Sequence, residues 1–235
     1  MKLFFIIFAS ALALIAVLAI LRKRRSTVRE ALIDDFKFPD GIAQRVRKRY
    51  PHLTDEDMTL VFAGLRQYFQ MSRLARRRLL SMPSQVVDVT WHEFILFTRN
   101  YQVFCDKALG RFLHHTPAEA MLTPQNAQEG IRRAWRLACG LEDISARTPP
   151  RLPLIFKLDD RLNIPDGFRY SLNCLAAAAA AKAVGGDSSV TFCASHIGCG
   201  SGGGDGGCSS SGVSGCSSDS GCSGGDGGGG GGGGD

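Results

Sequence analysis

At 235 residues, 44% of them hydrophobic and 21% charged, the chain has room for one domain of ordinary size once both of its unusual ends are set aside. Its net charge of +6 is unevenly spread: up to Lys182 there are 28 basic and 17 acidic residues, and beyond it five aspartates and no base. Five of the eight cysteines fall in that glycine- and serine-rich end, an odd number with no core between them to staple, which argues against a secreted disulfide scaffold.

Residues 3–21, "LFFIIFASALALIAVLAIL", form an apolar run with Ser10 as its only polar member. As a helix rising about 1.5 Å per residue, the run spans nearly the ~30 Å of bilayer hydrocarbon. A cleaved signal peptide is the competing reading, since Val17 and Ala19 fit the small-residue rule for a cleavage site. That run exceeds the ~7–15 residues of a signal h-region, and the block Arg22, Lys23, Arg24, Arg25 that follows is typical of a retained anchor. With Lys2 alone on the other side, the positive-inside rule predicts an inner (plasma) membrane protein, single-pass, N-terminus out and body cytoplasmic. The same four cations are expected to contact anionic lipid.

A turn at Pro39, Asp40 and Gly41 leads into a body, residues 26–150, whose punctuation is helical. Thr54 with Asp57 three residues on resembles a capping box, followed by periodic Leu60, Val61, Leu65, Phe69 and Met71. The basic run "RLARRRLL", Arg73–Leu80, reads as a solvated helix face, with no interleaved aromatics to stack bases, so nucleic acid is not an expected partner. Thr116, Pro117 and Glu119 predict one helix start, and Thr123 with Pro124 another whose helix Gly140 closes. No stretch alternates with period 2, so the body is predicted all-α.

Residues 151–184 are expected to hold an irregular arm, with four prolines between Thr148 and Tyr170, and an alanine-rich helix capped by Ser171. From Gly185 to Asp235 the chain holds 22 of the 28 glycines and almost no large apolar residues, a composition that predicts a disordered tail. Cys193, His196 and Cys199 could capture a soft metal there, but lack a fixed backbone and a fourth ligand.

The chemistry-bearing residues sit in "WHEFILFTRNYQVFCDKALGRFLHH", Trp91–His115. Asp88 and His92 are four apart and share a helix face, where a carboxylate can fix a histidine tautomer. Cys105 with His114 or His115 would add donors suited to zinc. On one unbroken helix, however, His92 and Cys105 would lie about 20 Å apart along the axis. Convergence therefore requires a break, expected in "TRNY" around Arg99 and Asn100. The bland alternative is that Trp91, Ile95, Tyr101, Cys105 and Phe112 form a core stripe, with His92 bonded to Asp88 and both His114 and His115 in a loop. A Cys-His nucleophile lacks an oxyanion hole and an orienting third group, so catalysis is not expected.

The run Met82–Pro117 resembles the glycine-rich domain-containing protein-like family, in its bacterial, membrane-anchored form. The likeness rests on an aspartate ahead of a Trp-His pair, then a tyrosine, a cysteine, a glycine and a closing histidine. It implies that Asp88, Trp91, His92, Tyr101, Cys105, Gly110 and His115 form one unit. The Trp-His-x-His form of plant relatives is replaced here by Trp91, His92, Glu93 and Phe94, so no role of a second histidine is carried over. Two functions follow as expectations: a cytoplasmic interaction or scaffolding module with protein partners, or a zinc-type metal-binding protein using His92, Cys105 and His115, with His114 and Asp88 as further ligands.

Overall fold

The computed structural model describes residues 1–115, 124–172, 191–193 and 197. They are mostly helical, as the sequence predicts: α1 Lys2–Asp34, α2 Gly41–Arg49, α3 Asp55–Ala75, α4 Gln85–Leu96, α5 Thr98–Phe104 continuing into a π-helical turn at Cys105–Leu109, α6 Pro124–Leu141 and α7 Leu154–Arg161. One short parallel pair joins β1 Arg169–Ser171 to β2 Thr191–Cys193. The predicted start at Thr116 and the alanine-rich stretch at 173–184 lie outside the described residues.

α1 is the one helix among the described residues long and apolar enough to cross a membrane. Its apolar half is not buried against the body, and Phe4, Ile6, Leu14 and Ile15 are exposed. The helix then continues through the arginine block without a break and docks on α3. Arg73 donates to Ser26 at 2.7 Å and to Glu30 at 3.2 Å, and Gln70 reaches the Glu30 carbonyl at 2.9 Å and the Asp34 carboxylate at 2.8 Å. Because the pairing runs 26 to 73 and 34 to 70, the two helices are antiparallel, and the C-terminal end of α3 points toward the apolar segment.

The Thr54–Asp57 capping box forms in both directions, with Thr54 Oγ1 accepting the Asp57 amide at 3.2 Å and Asp57 accepting the Thr54 amide at 3.0 Å. Val61, Leu65, Phe69 and Met71 are buried beyond it, and α3 is the central element against which α4, α6 and α7 pack. At Gly64 an added Cβ would stand 2.3 Å from Leu158 and 3.0 Å from Val87, so glycine lets three helices meet there. Phe36, Phe69, Phe94 and Phe104 form an aromatic cluster, with centroids 4.6 Å apart for Phe36–Phe104 and 4.7 Å for Phe69–Phe104. Fully burying each such ring contributes about 1.5–3 kcal/mol.

Two expectations change. The arm after Pro150 is not irregular: α7 occupies its middle, started by Pro153 and burying Ile155, Phe156 and Leu158 against the core. Two turns are too short to show a helical period, and the surrounding prolines mask it. Gly140 does not close α6; Asp143 takes the left-handed conformation (φ 53°), and the Ile144 amide returns to the Cys139 carbonyl at 2.8 Å, a Schellman-type ending with aspartate in the glycine role. Beyond Gly185 the described residues are 191–193, which pair with 169–171, and Ile197, which is buried.

Candidate metal centre

α4 carries Asp88 and His92, and its start is fixed from outside. Ser84 caps the Val87 amide at 3.4 Å, while the Asp159 carboxylate from α7 accepts Ser84 Oγ at 2.7 Å and the amides of Gln85 and Val86 at 2.6 and 3.2 Å. The Phe168 amide, at 2.8 Å, completes the set. Burial pushes the Asp159 carboxyl up, against the downward pull of these donors. Sequence reading passed over this residue; the available signal was an aspartate following an apolar run in "LIFKLDD".

The helix does break, at Phe97 (ψ 61°) rather than at Arg99 and Asn100, which fall in the first turn of α5. The Phe97 ring packs beside Gly41 and under the Arg45 guanidinium, 5.6 Å from its centroid. Beyond the break, Trp91 Nε1 donates to the Tyr101 hydroxyl at 3.1 Å, whereas on one straight helix those residues would be about 15 Å apart along the axis. The Tyr101 hydroxyl donates to the Leu113 carbonyl at 2.5 Å. Chain reversal after the π-helical turn is made by Gly110, at φ 70°, on which the Arg29 guanidinium lies so closely that a Cβ would stand 2.1 Å from Nη2.

These contacts deliver His115 to α4. His115 Nε2 lies 2.9 Å from Asp88 Oδ1 and His92 Nδ1 lies 3.4 Å from Asp88 Oδ2; the two imidazole centroids are 3.9 Å apart. Trp91 backs the His115 ring edge-on at 4.6 Å. Among the described residues, Asp88, His92 and His115 form the group of potential ligands whose donor atoms lie within 4.8 Å of one another. Ligands about 2.1 Å from an ion and 90–110° apart lie roughly 3.0–3.4 Å from each other, so the cluster needs little rearrangement to close on one. His92 Nδ1, the ring nitrogen 3.4 Å from Asp88 Oδ2, also lies 2.9 Å from the Asp88 carbonyl, so ligation through it exchanges that backbone contact for the ion. Side-chain exposure of 49% at His92 against 13% at His115 gives the cluster one open side.

Cys105 and His114 do not join it. Cys105 is fully buried, and burial pushes its thiol up, away from the thiolate that metal binding or nucleophilic attack needs. His114 is exposed and faces Phe112 at 4.8 Å. The core-stripe expectation thus holds for Trp91, Tyr101 and Cys105, but not for Phe112, which is exposed. Two imidazoles and a carboxylate with an open side make a donor set for a borderline divalent ion; without the thiolate it is not a closed Cys/His structural site. Cys193 lies in β2, where only the backbone is described, and His196 and Cys199 are outside the described residues.

A family model described as UCP032817-like matches residues 28–197. The match starts beyond the apolar segment and ends beyond β2, so α3 to α7 and all three clustered residues fall within it. No curated protein and no solved structure matches the chain.

Proposed function

The chain belongs to the UCP032817-like family, and from that premise we propose that it is a single-pass membrane protein whose helical body holds a zinc-type divalent cation on Asp88, His92 and His115. The observation that carries the reading is the meeting of donor atoms from residues 27 apart in sequence, at ligand-to-ligand distances, with one side open to solvent. An apolar helix of spanning length supports the membrane part. The arginine block supports an orientation with the body cytoplasmic at the inner membrane and the collar against anionic lipid. Kinship with the glycine-rich domain-containing protein-like family is part of the same proposal.

A second reading, an interaction module without metal, has its own support: the His115–Asp88 bond closes the segment after Gly110 onto α4, and a structural staple has that geometry too. Elemental mass spectrometry on the full chain in detergent separates them, with Cys193, Cys199, Cys208, Cys216 and Cys222 changed to serine so that tail thiols do not scavenge metal. Near-stoichiometric metal that is lost in a His92→Ala, His115→Ala variant and kept in Cys105→Ala supports the cation site. A metal-free parent under chelator-free preparation leaves the staple.

A further inference from the structure

Where α1 leaves the apolar run, it forms one wall of a groove whose other wall is the π-helical turn. Leu21, Arg24, Arg25, Val28, Arg29 and Lys107 line a cavity of about 280 Å³. Arg24, Arg25, Arg29 and Lys107 have no carboxylate partner among the described residues; the acids nearest in sequence are engaged, Glu30 with Arg73 and Asp106 with Gln102. The antiparallel docking of α3 brings a second set of cations to the same end, Arg76, Arg77 and Arg78, all exposed. Arg111 donates to the Arg76 carbonyl and ties the end of α3 to the segment after the π-helical turn. Residues fifty apart in sequence thus build one basic surface, and the run that reads as an ordinary solvated face has a location that explains it.

Depth decides what such a groove meets. From Leu21 to Val28 a helix rises about 10 Å, comparable to the polar headgroup layer that lies outside the ~30 Å hydrocarbon core. Leu21 and Val28 are themselves exposed, so the cations flank apolar side chains rather than replace them. We propose that this groove is a binding site for the phosphate headgroup of an anionic glycerophospholipid, held by Arg24, Arg25, Arg29 and Lys107 with its chains along Leu21. The inference rests on reading α1 as a membrane span. It adds to the general attraction of a basic collar a defined site, in which Lys107, over eighty residues from the collar, has a direct part.

The test uses the full chain in detergent with phosphatidylglycerol or phosphatidylcholine, retained lipid being counted by native mass spectrometry. One phosphatidylglycerol per chain is expected to survive a phosphatidylcholine excess and millimolar inorganic phosphate. Removing two groove cations in Arg29→Gln, Lys107→Gln should weaken retention roughly thirtyfold, at about 1 kcal/mol per cation. The equal charge change Arg22→Gln, Lys23→Gln, outside the groove, should weaken it much less. Because Arg29 packs on Gly110, Lys107→Gln alone at its exposed position serves as the variant that keeps the fold, and it too must lose lipid. Equal losses from both double variants, or no preference over phosphatidylcholine, reduce the groove to a diffuse collar and overturn the site. Displacement by inorganic phosphate overturns it in favour of a free-anion site. Release of the parent from vesicles by alkaline carbonate removes the membrane span itself, a failure distinct from an inserted chain that shows no lipid preference.

Discussion

Two carboxylates gather donors from distant parts of this chain, and they differ in what can replace those donors. Asp159 is 2% exposed and accepts two α4 amides, the Ser84 hydroxyl and the Phe168 amide. Three of its partners are backbone amides, which can only donate, the fourth is a hydroxyl that donates to it while accepting the Val87 amide, and its surroundings admit almost no solvent, so it is a buried cap on a helix. Asp88, with 22% of its side chain exposed, faces two imidazoles. An imidazole can surrender its proton and become a ligand, so the same kind of convergence can close on an ion instead of a hydrogen. Donor chemistry and exposure, not the number of hydrogen bonds, separate a structural carboxylate from a candidate ligand.

The largest effect expected from breaking this comparison is at Asp159. Asp159→Ala strands several buried donors at the start of α4 and should cost about 3–5 kcal/mol, read as a lower denaturation midpoint at unchanged m-value. Asp88→Ala should cost only about 1 kcal/mol in metal-free protein while lowering zinc affinity at least about 100-fold, by competition with a chromogenic chelator. If instead Asp88→Ala is the more destabilising of the two and zinc is indifferent to it, the roles assigned above are reversed.

Cys105 sharpens the contrast within the motif itself. Cys105→Ala should cost about 1 kcal/mol through lost packing, with metal content unchanged. In the folded parent Cys105 should resist thiol reagents at neutral pH until denaturant is added, since it is buried and its thiol is held above the ordinary range. Rapid labelling of Cys105 under native conditions would place it at an accessible surface and reopen its candidacy as a ligand.

How far these roles could be read in the sequence depends on the range of the interactions that create them. The apolar run, the Thr54–Asp57 box and the α3 stripe are local patterns, and each has its counterpart in the structure. Asp88 and His92 were legible as a pair because helical geometry alone puts them on one face. Which later residue joins them was not, because it depends on the break at Phe97, the left-handed Gly110 and the Tyr101–Leu113 bond acting together. On spacing, Cys105 and His115 were equal candidates; tertiary packing sends one inward to Tyr101 and the other to Asp88. Asp159 was illegible for the same reason, since the three partners that make it a cap on α4, Ser84, Gln85 and Val86, lie more than seventy residues upstream.

Asp166 stands between the two carboxylates and supplies the smallest effect. It accepts Arg49 at 2.7 Å and the Tyr50 hydroxyl at 2.8 Å, tying the end of α2 to the turn after α7. Burial alone would raise its carboxyl, but the hydrogen bonds from Arg49 and Tyr50 outweigh it and hold the group below the usual carboxylate range. A folded-state value below the unfolded one means the stabilisation is present above about pH 4 and is lost as pH falls through the folded value. With 41% of the Asp166 side chain exposed, solvent screening keeps the contribution under about 1 kcal/mol. Asp166→Asn should therefore be slightly less stable than the parent at about pH 7, and the gap should narrow as pH falls below the ordinary carboxylate range and close once the parent carboxyl is protonated as well. A gap that persists in acid would mean that this link works by shape and hydrogen bonding rather than by charge, in the manner of Asp159.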